Sequence, residues 1–597
     1  MADPLTRRDP STLAAATAHL RSAARLVSEN LTAVGTDEQT TLLVLAGLIG
    51  TAVGMAVTGF YRLIDVLQDA VLLVALGTPV ADYVLVPAFV ALGIVVCRAA
   101  TRWGARRSRG ENVADVMYRV SVKGGVIPLK PVLAKVVASA VAISTGGSVG
   151  AEGPVIVLGA GAGSKIGRWV RASPNRLRTL AGCGAAAGIS AAFNAPIAGV
   201  IFGIEKITGS AGGMALGPYV VSSILAATVS RALLGDQPAL SLPVEYAVRS
   251  PWELLLYLLL GIVTGVVAVA YSRGVWKTQD FFDGIRSPWM QVGLGALAVG
   301  ALNLVFRDDL WGHGHESLNL AIVATRTAPF LLGLAAAKLA ATAITLGAGG
   351  VGGVFTPALF IGATLGGAVG HLTRWAVPSA TVAPGAVALV GMAGLVSGAT
   401  HAPLTAIMMV FEMTGDYALI LPLMLTSVLA YLVARRLASE SIYTEWLVRR
   451  GVVLSQGADA AVLVRITVNE CYNRGVVVLP AAAGLPAATE LARASRQTEF
   501  PVVTGDGKLA GMLSREALRE AVEAADGKPV TAGELASQRV EPVTPEDSVL
   551  TALRRLGAHD VEYLPVVSTR QGRRVIGILS RHDLTAAYER ALSEELQ

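Results

Sequence analysis

Residues 135–167, KVVASAVAISTGGSVGAEGPVIVLGAGAGSKIG, align with residues 338–370, KLAATAITLGAGGVGGVFTPALFIGATLGGAVG, at a constant offset of 203 and without a gap. Eleven of the 33 positions are identical: Lys135, Ala138, Ala140, Gly146, Gly147, Gly150, Pro154, Gly159, Ala160, Gly163 and Gly167 in the first copy. A second pair follows at offset 207, with Ala195-Pro196 and Glu205 matching Ala402-Pro403 and Glu412. Small residues inflate such a count, yet an ungapped register of Lys, Gly-Gly and Pro is hard to reach by chance. The chain carries a duplicated unit, and duplicated membrane units place their substrate where the halves meet.

The duplicated region is strongly apolar. Apolar runs begin near residue 41 and recur at roughly 80–100, 128–146, 149–169, 176–208, 216–234, 252–275, 288–306, 329–346, 353–376, 383–399 and 402–437. Residues 41–434 hold 42 charged side chains in 394 positions, about 11%, whereas residues 451–597 hold 35 in 147, about 24%. A soluble protein has about 25%. The first figure excludes an ordinary soluble enzyme, and the second excludes a chain lying wholly in lipid. The net charge of +6 does not mark a nucleic-acid partner. Its basic residues cluster in short loops beside apolar segments, where the positive-inside rule puts them.

These patterns predict three regions: a cytoplasmic leader at 1–40, a transmembrane domain at 41–450 with halves near 41–210 and 250–437, and a cytoplasmic tail at 451–597. The leader lacks a cleavable signal pattern. Arg435, Arg436, Arg449 and Arg450 flank the last apolar segment and put this end in the cytoplasm, as the leader is expected to be. Within the tail, residues 498–522 and 561–588 share a strand, a polar turn, a second strand ending in G-x-L-S-R and a helix. The pair spans about 455–525 and 530–592. Cys97, Cys183 and Cys471 are far apart and are expected as packing residues, not as a disulfide or zinc framework.

Each repeat of the membrane part has an apolar run that stops at Gly-Gly and a new apolar run that starts after a proline, Pro154 or Pro357. Proline suits a first helical turn, so each break presents a helix N-terminus with unpaired N–H groups and a positive dipole end. Two such ends can hold a desolvated anion without formal positive charge, weakly enough to release it. Glycine packing between helices is the structural alternative, but packing does not require two related breaks that both carry proline. Glu152 lies inside the first break, where a charged carboxylate competes with an anion for the same donors and a protonated one lets go.

GSVGAEGP (147–154), FNAPIAGVIFGIE (193–205), GGVFTP (352–357), HAPLTAIMMVFEMTGDY (401–417) and SIYTEWL (441–447) together resemble the CLC family of chloride channels and chloride/proton antiporters. The resemblance covers roughly residues 40–450, and the tail resembles a pair of CBS domains. It implies a polytopic all-α membrane domain with a CLC-like inverted repeat of broken helices, followed by an α/β CBS pair. It further implies a multi-pass protein of the cell membrane, acting as a homodimer with one pore per subunit. Chloride, with protons in an antiporter, is the implied cargo. By the same resemblance Glu152 is the gating glutamate, and the backbone around Gly150, Gly153, Val354 and Phe355 lines the chloride site. Tyr443 closes that site on the cytoplasmic side. Glu205 is an inner acid that fixes a neighbouring helix.

Two departures bear on function. Where the family's first anion motif has a serine whose hydroxyl donates to chloride, this chain reads RGENVADVM (109–117). Glu111 or Asn112 falls near that serine position, and Asn112 can offer an amide N–H. Selectivity among chloride, nitrate and fluoride is therefore open, with chloride favoured because Pro154 is kept. Lys206 occupies the position where many antiporters carry a proton-relay glutamate, which leaves coupled exchange and passive conduction both open.

In the tail, GILSRHD (577–583) matches a nucleotide-binding pattern, and the CBS resemblance implies that Ser580 contacts phosphate and Asp583 the ribose hydroxyls. GMLSREA (511–517) keeps Ser514 but has Ala517 in place of the acid. At most one complete adenine-nucleotide site (ATP, ADP or AMP) is expected, and a dimerising module without ligand is the alternative. No cofactor or metal is required. His313, His315 and Glu316 read as a polar loop, Lys135 and Lys338 as helix-end anchors, and Asp416 as a cap. An intramembrane metalloprotease needs HExxH, whereas His315-Glu316 is followed by Ser317, Leu318 and Asn319. A divalent-cation transporter needs more intramembrane acids than Glu152, Glu205 and Glu412. An anion transporter, and not an enzyme, is the expectation.

Overall fold

The computed structural model describes residues 38–75, 79–104, 112–209, 216–235, 253–306, 309–311, 326–377, 382–449, 463, 465–495, 497–524, 529–536, 540–559, 561–568 and 572–595. Two compact units emerge, Met1–Gly451 and Val452–Gln597. Glu111, His313, His315 and Glu316 lie outside the described residues.

The first half of the membrane unit comprises α1 (Glu38–Ala75), α2 (Pro79–Gly104), α3 (Asn112–Ser121), α4 (Leu129–Ser144), α5 (Glu152–Trp169), α6 (Pro174–Phe193), α7 (Pro196–Phe202) with a π-helical turn at Gly203–Thr208, and α8 (Leu216–Leu234). The second half comprises α9 (Glu253–Gly284), α10 (Pro288–Phe306), α11 (Ala328–Gly347), α12 (Phe355–Ala376), α13 (Pro384–Thr400), α14 (Pro403–Thr414) and α15 (Ile420–Leu437), and the short α16 (Thr444–Val448) closes the unit. Eight helices among the described residues are long and apolar enough to cross a membrane.

Glycine sets two matched close helix crossings. A Cβ on Gly159 of α5 would stand 2.0 Å from the Gly184 carbonyl oxygen of α6, and one on Gly184 would stand 2.0 Å from that of Gly159. Gly362 of α12 and Gly391 of α13 repeat the exchange at 2.4 Å in both directions. The four glycines are related by the offsets of 203 and 207 seen in the sequence. Such crossings let backbones touch where lipid provides no hydrophobic drive for association. Helix α13 is buried along its whole length.

The ends of α6 and α13 are equally matched. Asn194 and His401, each left-handed with φ of 56° and 55°, terminate these helices. An Ala-Pro pair then starts α7 and α14, with the proline in the first turn. Asp416 acts as the expected cap, its carboxylate accepting the Ala418 N–H at 2.9 Å.

In the tail, β1 (Leu479–Pro480) runs parallel to β2 (Glu499–Val503), which pairs antiparallel with β3 (Leu509–Ser514). Helices α17 (Leu485–Arg493), α18 (Arg515–Ala524) and α19 (Ala532–Leu535) cover the first copy. The second copy has α20 (Val549–His559), β4 (Tyr563–Val567), β5 (Val575–Ser580) and α21 (Arg581–Glu595). Glu499 faces Ser514 as Tyr563 faces Ser580, and both hairpins carry a register shift at their far end. The cores match as well: Phe500, Val502, Leu513 and Leu518 in one copy, Leu564, Val566, Leu579 and Leu584 in the other.

Gly159→Ala should therefore lower the thermal unfolding midpoint of the detergent-solubilised protein, at a cost of about 2–3 kcal/mol for overpacking. Gly293→Ala in α10, where an added Cβ meets nothing within 4 Å, should leave the midpoint unchanged or slightly raised.

Candidate functional site

The two breaks meet. Gly150 and Gly353 form an isolated antiparallel bridge, with Gly150 N–H donating to the Gly353 carbonyl at 2.8 Å and Gly353 N–H to the Gly150 carbonyl at 2.7 Å. These residues are each other's repeat equivalents, so the bridge lies on the axis relating the halves. Two residues on, Glu152 opens α5 and its equivalent Phe355 opens α12.

The Glu152 side chain is 1% exposed and reaches across the axis. Its Oε1 accepts the Phe355 N–H at 2.6 Å, and its Oε2 accepts the Thr356 hydroxyl at 2.6 Å. A carboxylate of the first half thus sits on the positive end of α12, where charge-assisted hydrogen bonds offset its burial. A Cβ on Gly150 or on Gly353 would come within 2.1 Å of a Glu152 carboxylate oxygen. The two glycines of the bridge leave the space that the carboxylate occupies.

The surrounding wall is well tied. The Tyr271 hydroxyl of α9 donates to the Val354 carbonyl at 2.9 Å, and the Phe193 ring packs against that of Phe355 at 5.8 Å. Ser148 N–H donates to the Thr345 hydroxyl oxygen at 3.2 Å, and the Ser148 and Thr342 hydroxyls pair at 3.2 Å. Both threonines belong to α11, so the first break is held by the helix that leads into the second.

The expected site residues separate into groups. Glu152, Gly153, Val354 and Phe355 come together at the facing helix starts. Gly150 serves differently from the expectation: its N–H is taken by Gly353 and joins the halves instead of pointing at an anion. Asn112 opens α3. Tyr443 is buried at 1% exposure directly ahead of α16, in a segment anchored by Ile442 N–H on the Ala399 carbonyl at 2.9 Å. Lys206 is half-buried in the π-helical turn beside Glu205. Thr356 was not anticipated, although a hydroxyl inside the second break was visible in GGVFTP.

Glu205 and Glu412 cap one another's halves. Glu205 accepts the Leu404 and Thr405 N–H groups at 3.3 and 2.9 Å and the Thr405 hydroxyl at 2.6 Å, at the start of α14. Glu412 accepts the Ile197 and Ala198 N–H groups at 2.9 and 2.7 Å, at the start of α7. Each supplies the anionic acceptor that a helix N-terminus lacks. Lys135 and Lys338 are not helix-end anchors. Both lie mid-helix and buried, Lys135 3.7 Å from Asp115, and Lys338 3.2 Å from the Leu310 carbonyl and 5.0 Å over the Phe360 ring. Burial drives them to the nearest anionic or carbonyl partner.

In the tail, Ser580 and Asp583 engage each other: Asp583 Oδ2 accepts the Ser580 hydroxyl at 2.6 Å and its N–H at 2.9 Å. Tyr472, from the segment ahead of β1, lies against Gly577 of the second copy. Ser514 accepts the Ala517 N–H at 3.1 Å, and it lines a cavity of about 450 Å³ with Glu499, Arg515 and Glu562. Arg515 is already committed to the carbonyls of Ala492, Ser495 and Gln497.

With this geometry, the comparisons with known proteins are specific. The voltage gated chloride channel family matches residues 89–435, and the CBS domain matches residues 468–524 and 532–590. A ClcB-like chloride channel protein of Ralstonia nicotianae is 34% identical over 420 residues, covering 68% of this chain and 97% of that protein. The crystal structure of a slow cyanobacterial Cl-/H+ antiporter superposes with a TM-score of 0.63 at 26% identity, over 68% of this chain and 97% of that one. A eukaryotic CLC transporter shares the fold over 91% of this chain and 97% of its own, with a TM-score of 0.60 at 21% identity. The chain belongs to the voltage gated chloride channel family, with a C-terminal CBS pair. It is a multi-pass integral membrane protein, and the family consists of transporters and channels, in general not enzymes.

Burial, and then the charge of Glu562, hold the Glu499 carboxyl above its ordinary value of 4.5. The charged form is the costly one, so stability is greatest at low pH and is lost as pH rises through the folded value. Glu499→Gln should therefore raise the melting temperature of the tail at pH 7, with the gain shrinking as pH falls toward 4.5. Differential scanning fluorimetry of the full chain checks this.

Proposed function

We propose that this protein moves chloride across the membrane through a pathway that Glu152 shuts, and that it exchanges chloride for protons. The observation that carries the reading is the Glu152 carboxylate bound to the Phe355 N–H and the Thr356 hydroxyl. A negative side chain on the donors of α12 excludes an anion from the same donors. Protonation removes its charge, weakens both hydrogen bonds and frees the donors for chloride. A gate released by a proton and restored by its loss ties proton movement to anion movement. Chloride then passes between backbone N–H groups near Gly153 and Phe355, with Tyr443 on the cytoplasmic side, in each subunit of a homodimer whose termini face the cytoplasm.

Lys206 favours a second reading, passive chloride conduction, because a cation stands where a relay carboxylate would carry protons to the inner side. Purified protein in liposomes under a chloride gradient separates the two. Proton uptake driven by chloride is expected, and chloride flux without it means a channel. Glu152→Gln should flatten the acid activation of chloride flux and abolish proton uptake, while leaving flux itself intact. An acid activation unchanged from the native protein would remove Glu152 from the role of gate.

The CBS pair is proposed to bind an adenine nucleotide at Ser580 and Asp583, with Asp583 exchanging its Ser580 contact for ribose hydroxyls. Support comes from the GILSRHD segment and from the placement of Asp583 at the start of α21. Calorimetric titration with ATP, ADP and AMP should give binding that Asp583→Ala abolishes and Ser514→Ala spares.

A further inference from the structure

Among the described residues, Thr356 is the one side-chain donor to the Glu152 carboxylate. Its repeat equivalent is Gly153, so the first half has no hydroxyl at this position, and the Ser148 hydroxyl of the first break pairs with Thr342 instead. Several buried threonines of neighbouring helices satisfy themselves on the carbonyl four residues back, whereas Thr342 pairs with Ser148 and Thr426 with the Tyr257 carbonyl. Thr345 donates to Ala341 at 2.7 Å, Thr364 to Phe360 at 2.9 Å and Thr400 to Val396 at 2.7 Å. Thr356 is the second residue of α12, and the residue four positions back, Gly352, precedes the helix. The helical back-bond is therefore absent, and its hydroxyl turns to the nearest anion, Glu152 Oε2, at 2.6 Å. Thr405, in the first turn of α14, makes the same kind of bond to Glu205.

We infer that the Thr356 hydroxyl is a ligand of the transported anion, donating to chloride once the Glu152 carboxylate has left, and that it sets the preference among anions. The inference rests on the reading of Glu152 as the anion's competitor, since the carboxylate oxygen marks where the anion sits. A carboxylate oxygen and a chloride ion both accept hydrogen bonds, so a donor aimed at one serves the other. A backbone N–H points along a direction fixed by the helix, whereas a hydroxyl rotates about its bond. Thr356 can donate to the carboxylate, accept from the protonated acid and donate again to chloride. This hydroxyl also supplies a side-chain donor in a chain whose first anion motif reads RGENVADVM, without serine.

The test measures the half-saturating chloride concentration for flux in liposomes, and the chloride-to-nitrate flux ratio, for Thr356→Val and Thr356→Ser in native and Glu152→Gln backgrounds. Thr356→Val, nearly isosteric but without a donor, should raise half-saturation about tenfold and lower the chloride-to-nitrate ratio. Thr356→Ser should stay within about twofold of its parent, because it keeps the hydroxyl. Equal half-saturation and equal ratios for the Val and Ser variants would overturn the inference, as would a Ser variant impaired as badly as Val. Should Thr356→Val fail size-exclusion chromatography, Thr356→Ala takes its place with the same expected outcome. The gate reading is judged separately, by the pH dependence of Glu152→Gln alone, so a failed gate with a Val–Ser difference still assigns the hydroxyl to the anion.

Discussion

The pair of hydrogen bonds between Gly150 and Gly353 is the contact on which the rest of the membrane unit depends. It joins two helix starts that would each point unpaired N–H groups into an apolar interior. It also fixes the distance between them, so that a side chain from one half can reach the other. Only glycine fits there, because a Cβ at either position would collide with the Glu152 carboxylate. The bridge and the carboxylate are two parts of one arrangement. Without the bridge the helix starts have no common centre, and without the glycines the carboxylate has no room.

Around that axis the halves are close copies, and the exceptions carry the chemistry. The glycine crossings of α5 with α6 and α12 with α13 are duplicated, as are the left-handed ends at Asn194 and His401. Glu205 and Glu412 cap each other's helices in the same reciprocal sense. At the centre, however, Glu152 faces Phe355 and Gly153 faces Thr356. Strict symmetry would place either two carboxylates or none at the meeting point. Two would repel, and none would leave nothing for a proton to act on. One acid faces one set of donors, the Phe355 N–H and the Thr356 hydroxyl, and under the proposed function an anion takes its place.

Much of this was legible in the residues. The offset repeat located the breaks, and Pro154 and Pro357 marked the first turns that follow them. Glu152 stands out as an acid where burial is costly, whereas Glu205 is singled out only through the family resemblance, as an acid at a helix end. What the string could not show was pairing across 203 residues: that Gly150 gives its N–H to Gly353, or that Glu152 takes the N–H of its own counterpart. Lys135 and Lys338 were misplaced for the same reason. A lysine in an apolar run looks like an end anchor until Asp115 or the Leu310 carbonyl is brought beside it. In the tail the obstacle was different. Ser580 and Asp583 are only three residues apart, and the spacing that suits a ligand also suits a local cap.

Thr356 brings these strands together. Threonine in a membrane helix ordinarily bonds to its own backbone and is chemically silent, which is why it passes unnoticed in a sequence. Its position two residues into α12 removes that option, since the carbonyl it would use belongs to the glycine break. The break that creates free N–H groups therefore frees a hydroxyl as well, and both converge on the carboxylate of Glu152. In the proposed anion site, selectivity follows from geometry rather than from formal charge. The donors number few, they are oriented by the bridge, and only one of them can turn.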